Sequence, residues 1–375
     1  MRIAGCGFAD AATRPAVRCF SSCFRLLQSA IRNPQSAIGT SAIVAAGLIV
    51  LLTAQATSAA TAAWAPQQSG TLAWLRAVHF VDERRGWAAG SKGTVIATDD
   101  GGRTWRALAR PTEDALRDVF FSDQKTGWLV CERSLYALSR MEEARSYLLK
   151  TTDGGASWAR VEVTGADAGV VLTRVVFADA QRGWALGEMG ALYATRDGGA
   201  TWARQRVPTQ HLLLGASFLD PSQGWLVGAG ATVLETSDGG AEWRGVGEVA
   251  GALDAARLNA VSFVDARRGW AVGSGGVVVS TANGGRTWAR QQSGTDADLS
   301  DVKFFDAREG WAVGARGTIL RTEDGGATWA QVESGTTHPL ERLAFTTRAR
   351  GWAVGFGGTV LAYAPANAQA PRINN

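Results

Sequence analysis

Three acidic residues in the C-terminal part of the chain, Asp296, Asp298 and Glu341, have the side-chain chemistry that glycoside hydrolysis requires. Two carboxyl groups on either side of a glycosidic bond can supply a general acid together with a base or a nucleophile. The neighbouring residues do not distinguish these three from the acidic residues of a solvated loop. A secreted protein that hydrolyses or binds glycans is therefore one hypothesis, and a binding protein without catalytic activity is the other.

Cysteine and histidine are too scattered to form a disulfide framework or a metal site. Three of the four cysteines fall within the first 63 residues, so Cys131 has no partner in the rest of the chain. The three histidines are far from it and from one another, which matches no ligand spacing of a zinc site. We predict no metal site, and no motif indicates a cofactor. The histidines are His79, His211 and His338.

The charges of the chain argue against nucleic-acid binding. Of the 38 basic and 34 acidic side chains, five arginines and Asp10 lie within residues 1–63, so the remainder carries 33 of each sign. A protein that neutralises phosphates needs an excess of cations. The remainder has no such excess.

Residues 1–63 are predicted to be a signal peptide or an N-terminal membrane anchor. Arginines precede an apolar run at 42–52, which small residues follow. This order is typical of a secretory signal, and the uncharged stretch between Arg32 and Arg76 is also long enough to span a membrane. Both alternatives predict export to the periplasm or the extracellular space.

Two motifs recur through the rest of the chain. A Gly-Trp-Ala-Val-Gly segment or a close variant occurs seven times, mostly at intervals of 41 residues. Six of these are followed by Thr-x-Asp-x-Gly-x-Thr-Trp or a close variant, in which Asn283 replaces Asp and Ser157 and Glu242 replace the last Thr. This motif resembles the Asp-box, or BNR repeat, of sialidases and related propellers. The tryptophans of the first motif are Trp87, Trp128, Trp184, Trp225, Trp270, Trp311 and Trp352.

The repeated Asp-box favours a structural role over a catalytic one. Its acidic side chain can accept backbone N–H bonds across a turn, its glycines can adopt positive φ, and its tryptophan can fill space between sheets. A catalytic centre needs one asymmetric group of residues, whereas this motif occurs in six units. The residues at its acidic position are Asp100, Asp153, Asp197, Asp238, Asn283 and Asp324.

Each repeat contains four short strand segments, which predicts an all-β, seven-bladed β-propeller with four-stranded antiparallel blades over residues 64–364. The last repeat lacks an Asp-box and a fourth strand. Trp64 precedes Trp87 by 23 residues, the spacing between an Asp-box tryptophan and the next Gly-Trp in four other blades. We therefore predict that the N-terminal strand completes the last blade and closes the ring. Residues 365–375 are predicted to be a flexible tail.

The predicted strand directions separate the loops onto two faces. The turn face carries the turns between first and second strands and the Asp-boxes; the loop face carries the loops between second and third strands and between blades. Arginines precede several Gly-Trp pairs on the turn face and could bind an acidic partner or pair with nearby aspartates such as Asp82 and Asp265. The candidate partner-binding residues there are Arg85, Arg182, Arg268, Arg308 and Arg350.

Blade two differs from the others by an insertion at 132–148, in the loop between its second and third strands. Apolar residues at helical spacing predict a short amphipathic helix on the loop face. Glu142 and Arg145 are its candidate partner-binding residues, because binding residues often lie on such additions to a rigid scaffold. The alternative is a solvated insertion.

With these motifs, residues 64–363 resemble the photosystem II assembly and stability factor family of seven-bladed lumenal propellers. The resemblance implies a non-enzymatic assembly factor that holds a subunit of a membrane-protein complex, partly through arginines on one face. We expect the protein to be a monomer. Its location would be lumenal in a photosynthetic organism. A sialidase-like site would instead need three arginines and a tyrosine activated by an acid. We place Tyr136 and Tyr147 in the insertion, and Tyr193 and Tyr363 in third strands.

Overall fold

A computed structural model describes residues 63–364, apart from residues 135, 137–142, 166 and 250–255. The predicted signal or anchor before Ala63 and the predicted tail at 365–375 lie outside the described residues. So does Glu142, together with most of the predicted amphipathic helix. Strands and short 3-10 turns make up the regular structure of the described part.

Seven first strands surround the centre of the fold. Each contacts the first strands of the two neighbouring blades, including the contact between the first and the last, so they form a closed ring. Apolar residues recur on their buried side, as the alternation in the sequence predicts. These strands are β2 (Leu75–Phe80), β6 (Ala115–Phe121), β10 (Leu172–Phe177), β14 (Leu213–Phe218), β19 (Leu258–Phe263), β23 (Leu299–Phe304) and β27 (Leu340–Thr347).

The Gly-Trp segments form the second strands, and nearly all of their residues are buried. They are β3 (Gly86–Gly90), β7 (Gly127–Glu132), β11 (Gly183–Gly187), β15 (Gly224–Gly228), β20 (Gly269–Gly273), β24 (Gly310–Gly314) and β28 (Arg350–Gly355). The third strands pair with them antiparallel: β4 (Val95–Thr98), β8 (Ser146–Thr151), β12 (Leu192–Thr195), β16 (Val233–Thr236), β21 (Val278–Thr281), β25 (Ile319–Thr322) and β29 (Val360–Ala364).

Fourth strands form the outer edge of the blades and are mostly short. They are β5 (Arg106–Ala107), β9 (Ala159–Thr164), β13 (Thr201–Arg204), β17 (Arg244–Gly245), β22 (Thr287–Gln291), β26 (Ala330–Gln331) and, for the last blade, β1 (Ala63–Gln67). β9 pairs parallel with β13, which joins blades two and three into one eight-stranded sheet. An additional strand, β18 (Glu248–Val249), pairs parallel with β22.

The predicted closure of the ring is confirmed. β1 pairs antiparallel with β29, with Trp64 opposite Tyr363. The last sheet has the order β1-β29-β28-β27, so a strand from the N-terminus completes a blade from the C-terminus. Pairing the two chain ends protects the edge that β29 would otherwise expose. The predicted all-β propeller of four-stranded antiparallel units is likewise confirmed.

Aromatic residues connect neighbouring blades. The Gly-Trp tryptophan of one blade stacks on the last phenylalanine of the next blade's first strand, as Trp87 does on Phe121 with ring centroids 3.6 Å apart. An Asp-box tryptophan then meets that phenylalanine edge-on, as Trp158 meets Phe121 at 6.0 Å. Flat stacking and edge-on packing are both favourable aromatic arrangements. The repeated tryptophans therefore pack between blades as well as within them.

Candidate functional site

The Asp-box closes the turn between third and fourth strands. Asp197 accepts hydrogen bonds from the Thr201 hydroxyl at 2.6 Å and the Thr201 N–H at 3.0 Å. These bonds, with the hydroxyl contributing most, lower the pKa of Asp197 to about 2. Asn283 accepts the equivalent bond from the Thr287 N–H at 3.0 Å. Because a neutral amide makes this contact too, the turn requires an acceptor atom rather than a charge.

On the turn face, most of the predicted arginine side chains pair with a carboxylate of this protein. Asp82 does not pair with the arginine side chains next to it: its carboxylate accepts the N–H groups of Arg84 and Arg85 at 2.8 and 2.7 Å. Three of the predicted arginines have a carboxylate partner, Arg85 with Asp99 at 2.7 Å, Arg182 with Asp179 at 3.2 Å and Arg268 with Asp265 at 2.7 Å.

Two predicted arginines of this face have no carboxylate partner among the described residues. The Arg308 Nε donates to the Glu323 carbonyl at 3.3 Å, and Arg350 makes no side-chain hydrogen bond within that part of the chain. Arg348, which the prediction left out, pairs with Asp306 at 2.6 Å and Glu309 at 3.2 Å. The role of all these arginines in partner binding stays a prediction.

The loop face contains a cavity of about 560 Å³ at the centre of the ring. Every blade contributes the residue that follows the first leucine of its first strand. A register shift at this residue interrupts the pairing with the second strand in each blade, and such bulges redirect side chains. The residues are Arg76, Arg117, Thr173, Leu214, Asn259, Ser300 and Glu341.

The acidic side chains of this cavity all accept hydrogen bonds from the protein. These bonds come from the Val171 N–H to Glu188 at 3.2 Å, the Gly275 N–H to Asp298 at 2.7 Å and the Trp74 Nε1 to Glu341 at 2.9 Å.

Two of the four arginines of the cavity are paired as well. Arg117 pairs with Glu132, and Arg342 lies 3.4 Å from Asp118. Within the described part of the chain, Arg76 and Arg257 have no ion-pair partner. The unpaired charged groups of the cavity are therefore cations.

Arg76 is held in place by an aromatic side chain. Its guanidinium lies 4.3 Å from the centre of the Trp74 ring, and Glu341 fixes that ring through the Trp74 Nε1. Burial and the nearby Arg117 lower the pKa of Arg76. Trp74 is the single tryptophan outside the repeated motifs. The sequence signals that fell in this cavity were the candidate acids Asp298 and Glu341.

The loop face also carries exposed apolar side chains that the sequence prediction missed. Leu72 is 89% exposed, Met189 63% and Phe356 45%. Tyr136, in the blade-two insertion, is also fully exposed. All four lie in loops between blades or between second and third strands. No large apolar residue among the described residues is comparably exposed on the turn face.

The strands on either side of the blade-two insertion extend further than predicted. β7 reaches Glu132 and β8 starts at Ser146, which lies opposite Glu132, because cross-strand pairing continues into the predicted 132–148 loop. Arg145 lies in the remaining loop, 3.3 Å from Glu132 and 3.9 Å from Glu188 of blade three. It connects two blades, and its role in partner binding stays a prediction.

Below the cavity, four charged side chains of first strands meet in the central channel. Arg342 lies 3.4 Å from Asp118, and Arg174 lies 3.8 Å from Asp301. Each aspartate also accepts a backbone N–H from the next blade at 2.9 Å. These residues occupy positions where other blades have alanine or glycine, a difference that the sequence prediction overlooked. The two ion pairs connect blades across the ring.

The structure separates the three glycosidase candidates, with two of them in the loop-face cavity and Asp296 outside its lining. Asp298 and Glu341 line the same cavity, but both accept hydrogen bonds from the protein, and Asp296 pairs with Arg316. Tyr147 lies in β8 rather than in the insertion loop, since that strand begins at Ser146. Burial, followed by a hydrogen bond to Asp114, raises the pKa of Tyr147. A tyrosine nucleophile would need the opposite shift.

In the part of the chain that the structure describes, no three histidine, cysteine, aspartate or glutamate side chains are grouped so that they could hold a metal ion. Cys131 is buried and unpaired there, and burial raises the pKa of its thiol. No helix of the described residues is long and apolar enough to cross a membrane.

Comparison with known proteins identifies relatives of the same architecture. Photosystem II assembly lipoprotein Ycf48 of Synechococcus sp. (strain CC9902) is 28% identical over 123 residues, which are 32% of this chain and 33% of that protein. The alignment thus spans a third of the length of this curated relative. A structure of YCF48 bound to D1 peptide superimposes with a TM-score of 0.65 at 22% identity, covering 82% of this chain and 97% of that one.

An enzyme of the same fold is also similar. A GH74 xyloglucanase from Xanthomonas campestris superimposes with a TM-score of 0.62 at 15% identity, covering 83% of this chain and 55% of the enzyme. At such identities both superpositions show a shared fold only. The sequence model described as Photosynthesis system II assembly factor YCF48 matches residues 104–207, 200–295 and 291–364. Since these matches span most of the chain, the protein belongs to the photosystem II assembly factor YCF48 family.

Proposed function

We propose that this protein is a non-enzymatic assembly factor that binds a protein subunit of photosystem II. The observation that carries the proposal is its family membership over residues 104–364. A YCF48 protein of the same fold binds a D1 peptide, which supports a membrane-complex subunit as the partner here.

On the turn face, the predicted arginines are proposed as a second contact with the same complex. Arg308 and Arg350 can engage acidic groups directly, since neither has a carboxylate partner among the described residues. Arg85, Arg182 and Arg268 would have to exchange their present carboxylates for those of a partner. Surface ion pairs are weak, so such an exchange requires little free energy.

The propeller is proposed to act outside the cytoplasm, as a monomer. The curated relative in Synechococcus is a lipoprotein, which supports export with attachment to a membrane. In this chain the segment at 1–63 would provide the export signal or the anchor. Fractionation of cells into soluble and membrane-bound exported proteins distinguishes a cleaved signal from an anchor.

Affinity capture tests this function. The full chain with a C-terminal tag, purified in detergent, is incubated with solubilised cyanobacterial thylakoid membranes, and bound proteins are identified by mass spectrometry. We expect enrichment of complexes that contain D1. Absence of photosystem II subunits, while a cyanobacterial YCF48 protein captures them in parallel, would contradict the proposal. Release of sugars from xyloglucan that Glu341→Gln abolishes would contradict the non-enzymatic assignment.

A variant of the same protein tests the turn-face contact separately. Arg85, Arg182, Arg268 and Arg350 are replaced together by glutamate, and the capture is repeated at low and physiological salt. We expect several-fold weaker capture, with the larger difference at low salt, because exposed charges are screened by ions. Unchanged capture would remove the turn face from the binding site and leave the proposed function intact.

A further inference from the structure

We propose that the loop-face cavity binds an extended peptide through a carboxylate. Arg76 and Arg257 hold the carboxylate, while an apolar side chain of the same peptide contacts Phe356, which packs on Trp74. The inference rests on the proposed function in one respect, namely that the peptide belongs to a partner protein. It places the recognised segment on the face opposite the predicted turn-face arginines.

The size and position of the cavity suit a peptide segment. At about 560 Å³ it falls within the range of small-ligand sites. All seven blades contribute to its wall, and it lies on the ring axis above the channel. A rigid scaffold therefore surrounds it, so its side chains lose little freedom on binding. A chain end or a few side chains fit in this volume, whereas a folded domain does not.

The unpaired cations select a carboxylate. The acidic side chains of the cavity accept protein N–H groups, and Arg117 and Arg342 are ion-paired. The Arg76 Nε is buried without a hydrogen-bond partner among the described residues, and stacking on Trp74 fixes its guanidinium. Arg257, contributed by blade five, is exposed. Guanidinium groups bind carboxylates through two parallel hydrogen bonds.

An exposed apolar side chain favours a peptide that has an apolar residue beside its carboxylate. Phe356, in the turn between β28 and β29 of blade seven, is 45% exposed and contacts Trp74, with ring centroids 5.4 Å apart. Exposed apolar groups of this kind are typical of binding surfaces.

The same contacts disfavour a sugar as the occupant. Glycan sites present an open aromatic ring on which a sugar can stack. Arg76 covers one face of Trp74, and Phe356 packs on the same ring at 79°. Trp74 therefore has less open surface than such a site requires, and its contacts instead position a cation.

Fluorescence anisotropy with synthetic peptides tests the proposal. The probes are N-terminally labelled dodecapeptides of alanine, serine and leucine, one with a free C-terminal carboxylate, one amidated, and one amidated with a central glutamate. The full chain in detergent is used as wild type, as Arg257→Gln and as Arg76→Gln/Arg257→Gln. The control is Arg84→Gln/Arg267→Gln, two exposed turn-face arginines whose side chains have no partner among the described residues. Melting temperatures verify that all variants are folded.

We expect at least one of the two peptides that carry a carboxylate, the free-end peptide or the glutamate peptide, to bind at least tenfold more tightly than the neutral amidated peptide. The free-end and glutamate probes distinguish a chain terminus from an acidic side chain. Arg257→Gln should weaken binding several-fold and the cavity double variant at least tenfold, with the control within twofold of wild type. Absence of binding, equal binding of the neutral peptide, or an equal loss in the control would overturn the proposal.

Capture from membranes separates this inference from the proposed function. If the wild type captures photosystem II subunits and Arg76→Gln/Arg257→Gln captures them equally well, the cavity proposal is wrong and the function stands. If peptides bind the cavity as expected but the wild type captures no photosystem II subunit, the proposed function is wrong and the peptide site stands.

Discussion

Trp352 of the last blade stacks on Phe80 of the first, with ring centroids 3.5 Å apart and ring planes 9° apart. The Trp352 Nε1 also donates a hydrogen bond to the Gly101 carbonyl of the first Asp-box at 3.0 Å. Trp311 in blade six differs: its ring lies 6.1 Å from Phe345. Its Nε1 has no partner among the described residues, because blade seven has no Asp-box to supply a carbonyl.

This difference predicts unequal effects of one substitution at two positions. Trp352→Phe and Trp311→Phe remove the same atoms from fully buried sites, but only the first leaves a partly buried carbonyl without its donor. We expect Trp352→Phe to destabilise the protein by about 1 kcal/mol more than Trp311→Phe, the usual net contribution of a hydrogen bond. Urea unfolding measures both. An equal decrease in the free energy of unfolding in both variants would mean that the hydrogen bond to Gly101 does not stabilise the protein.

Gly190 and Gly275 lie in equivalent loop-face turns of blades three and five, but the space around them differs. Gly190 and Gly275 have φ of 64° and 65°, so alanine is strained by its backbone equally at both. A Cβ at Gly190 would lie 2.1 Å from the Thr209 carbonyl oxygen, whereas a Cβ at Gly275 has nothing within 4 Å.

We expect Gly275→Ala to cost about 1 kcal/mol and Gly190→Ala at least twice as much, because the turn must move away from Thr209. Thermal unfolding of the two variants beside the wild type gives the comparison. A loss at Gly275 equal to that at Gly190 would show that backbone strain alone determines the cost.

The channel ion pair of Arg174 and Asp301 predicts a non-additive mutant cycle. Both side chains are largely buried, at 17% and 6% exposure. Arg174→Met leaves two aspartates facing one arginine in the channel, since Arg342 also interacts with Asp301. A buried charge without a full partner typically costs about 3–5 kcal/mol. Arg174→Met/Asp301→Asn removes both charges, and the amide can still accept the Leu343 N–H that Asp301 accepts at 2.9 Å.

We therefore expect the double variant to be more stable than Arg174→Met alone, with a coupling of about 1–3 kcal/mol between the two sites. Denaturant unfolding of the four proteins in the cycle measures this coupling. Additive losses would show that the two residues do not interact in the channel.

The Asp-box predicts how stability changes in acid. Hydrogen bonds lower the pKa of Asp197 to about 2, below the value near 3.9 of an unfolded chain. A lowered folded pKa means that the carboxylate stabilises the protein above pH ~4 and that this stabilisation is lost as the pH falls towards about 2. The side-chain amide of Asn283 does not titrate, so its turn does not lose stability in this pH range.

Melting temperatures between pH 5 and pH 2 test this. The decrease should be smaller in Asp197→Asn than in the wild type and larger in Asn283→Asp, which adds a sixth titrating box. At pH 7, Asp197→Asn should stay folded, as the natural Asn283 box does. Identical pH profiles in all three proteins would contradict the assignment.

Local repetition made most of the fold predictable. The spacing of the Gly-Trp and Asp-box motifs sets the strand order, and the match of Trp64 to the Asp-box tryptophans places the closing strand. Strand ends were less predictable: β7 and β8 continue to Glu132 and Ser146 because they pair with each other. Cross-strand pairing depends on a partner distant in sequence, so it left no local signal.

The residues that meet at the ring axis were likewise not predictable from local sequence. The sequence by itself determined the repeat, the turn chemistry of the Asp-boxes and the even charge balance of the propeller, since each depends on residue type and spacing. Only the tertiary structure decided that Arg76 of blade one and Arg257 of blade five share a cavity, and that Asp118 meets Arg342. The physical reason is ring closure, which brings residues of different blades together at the axis whatever their separation in the chain.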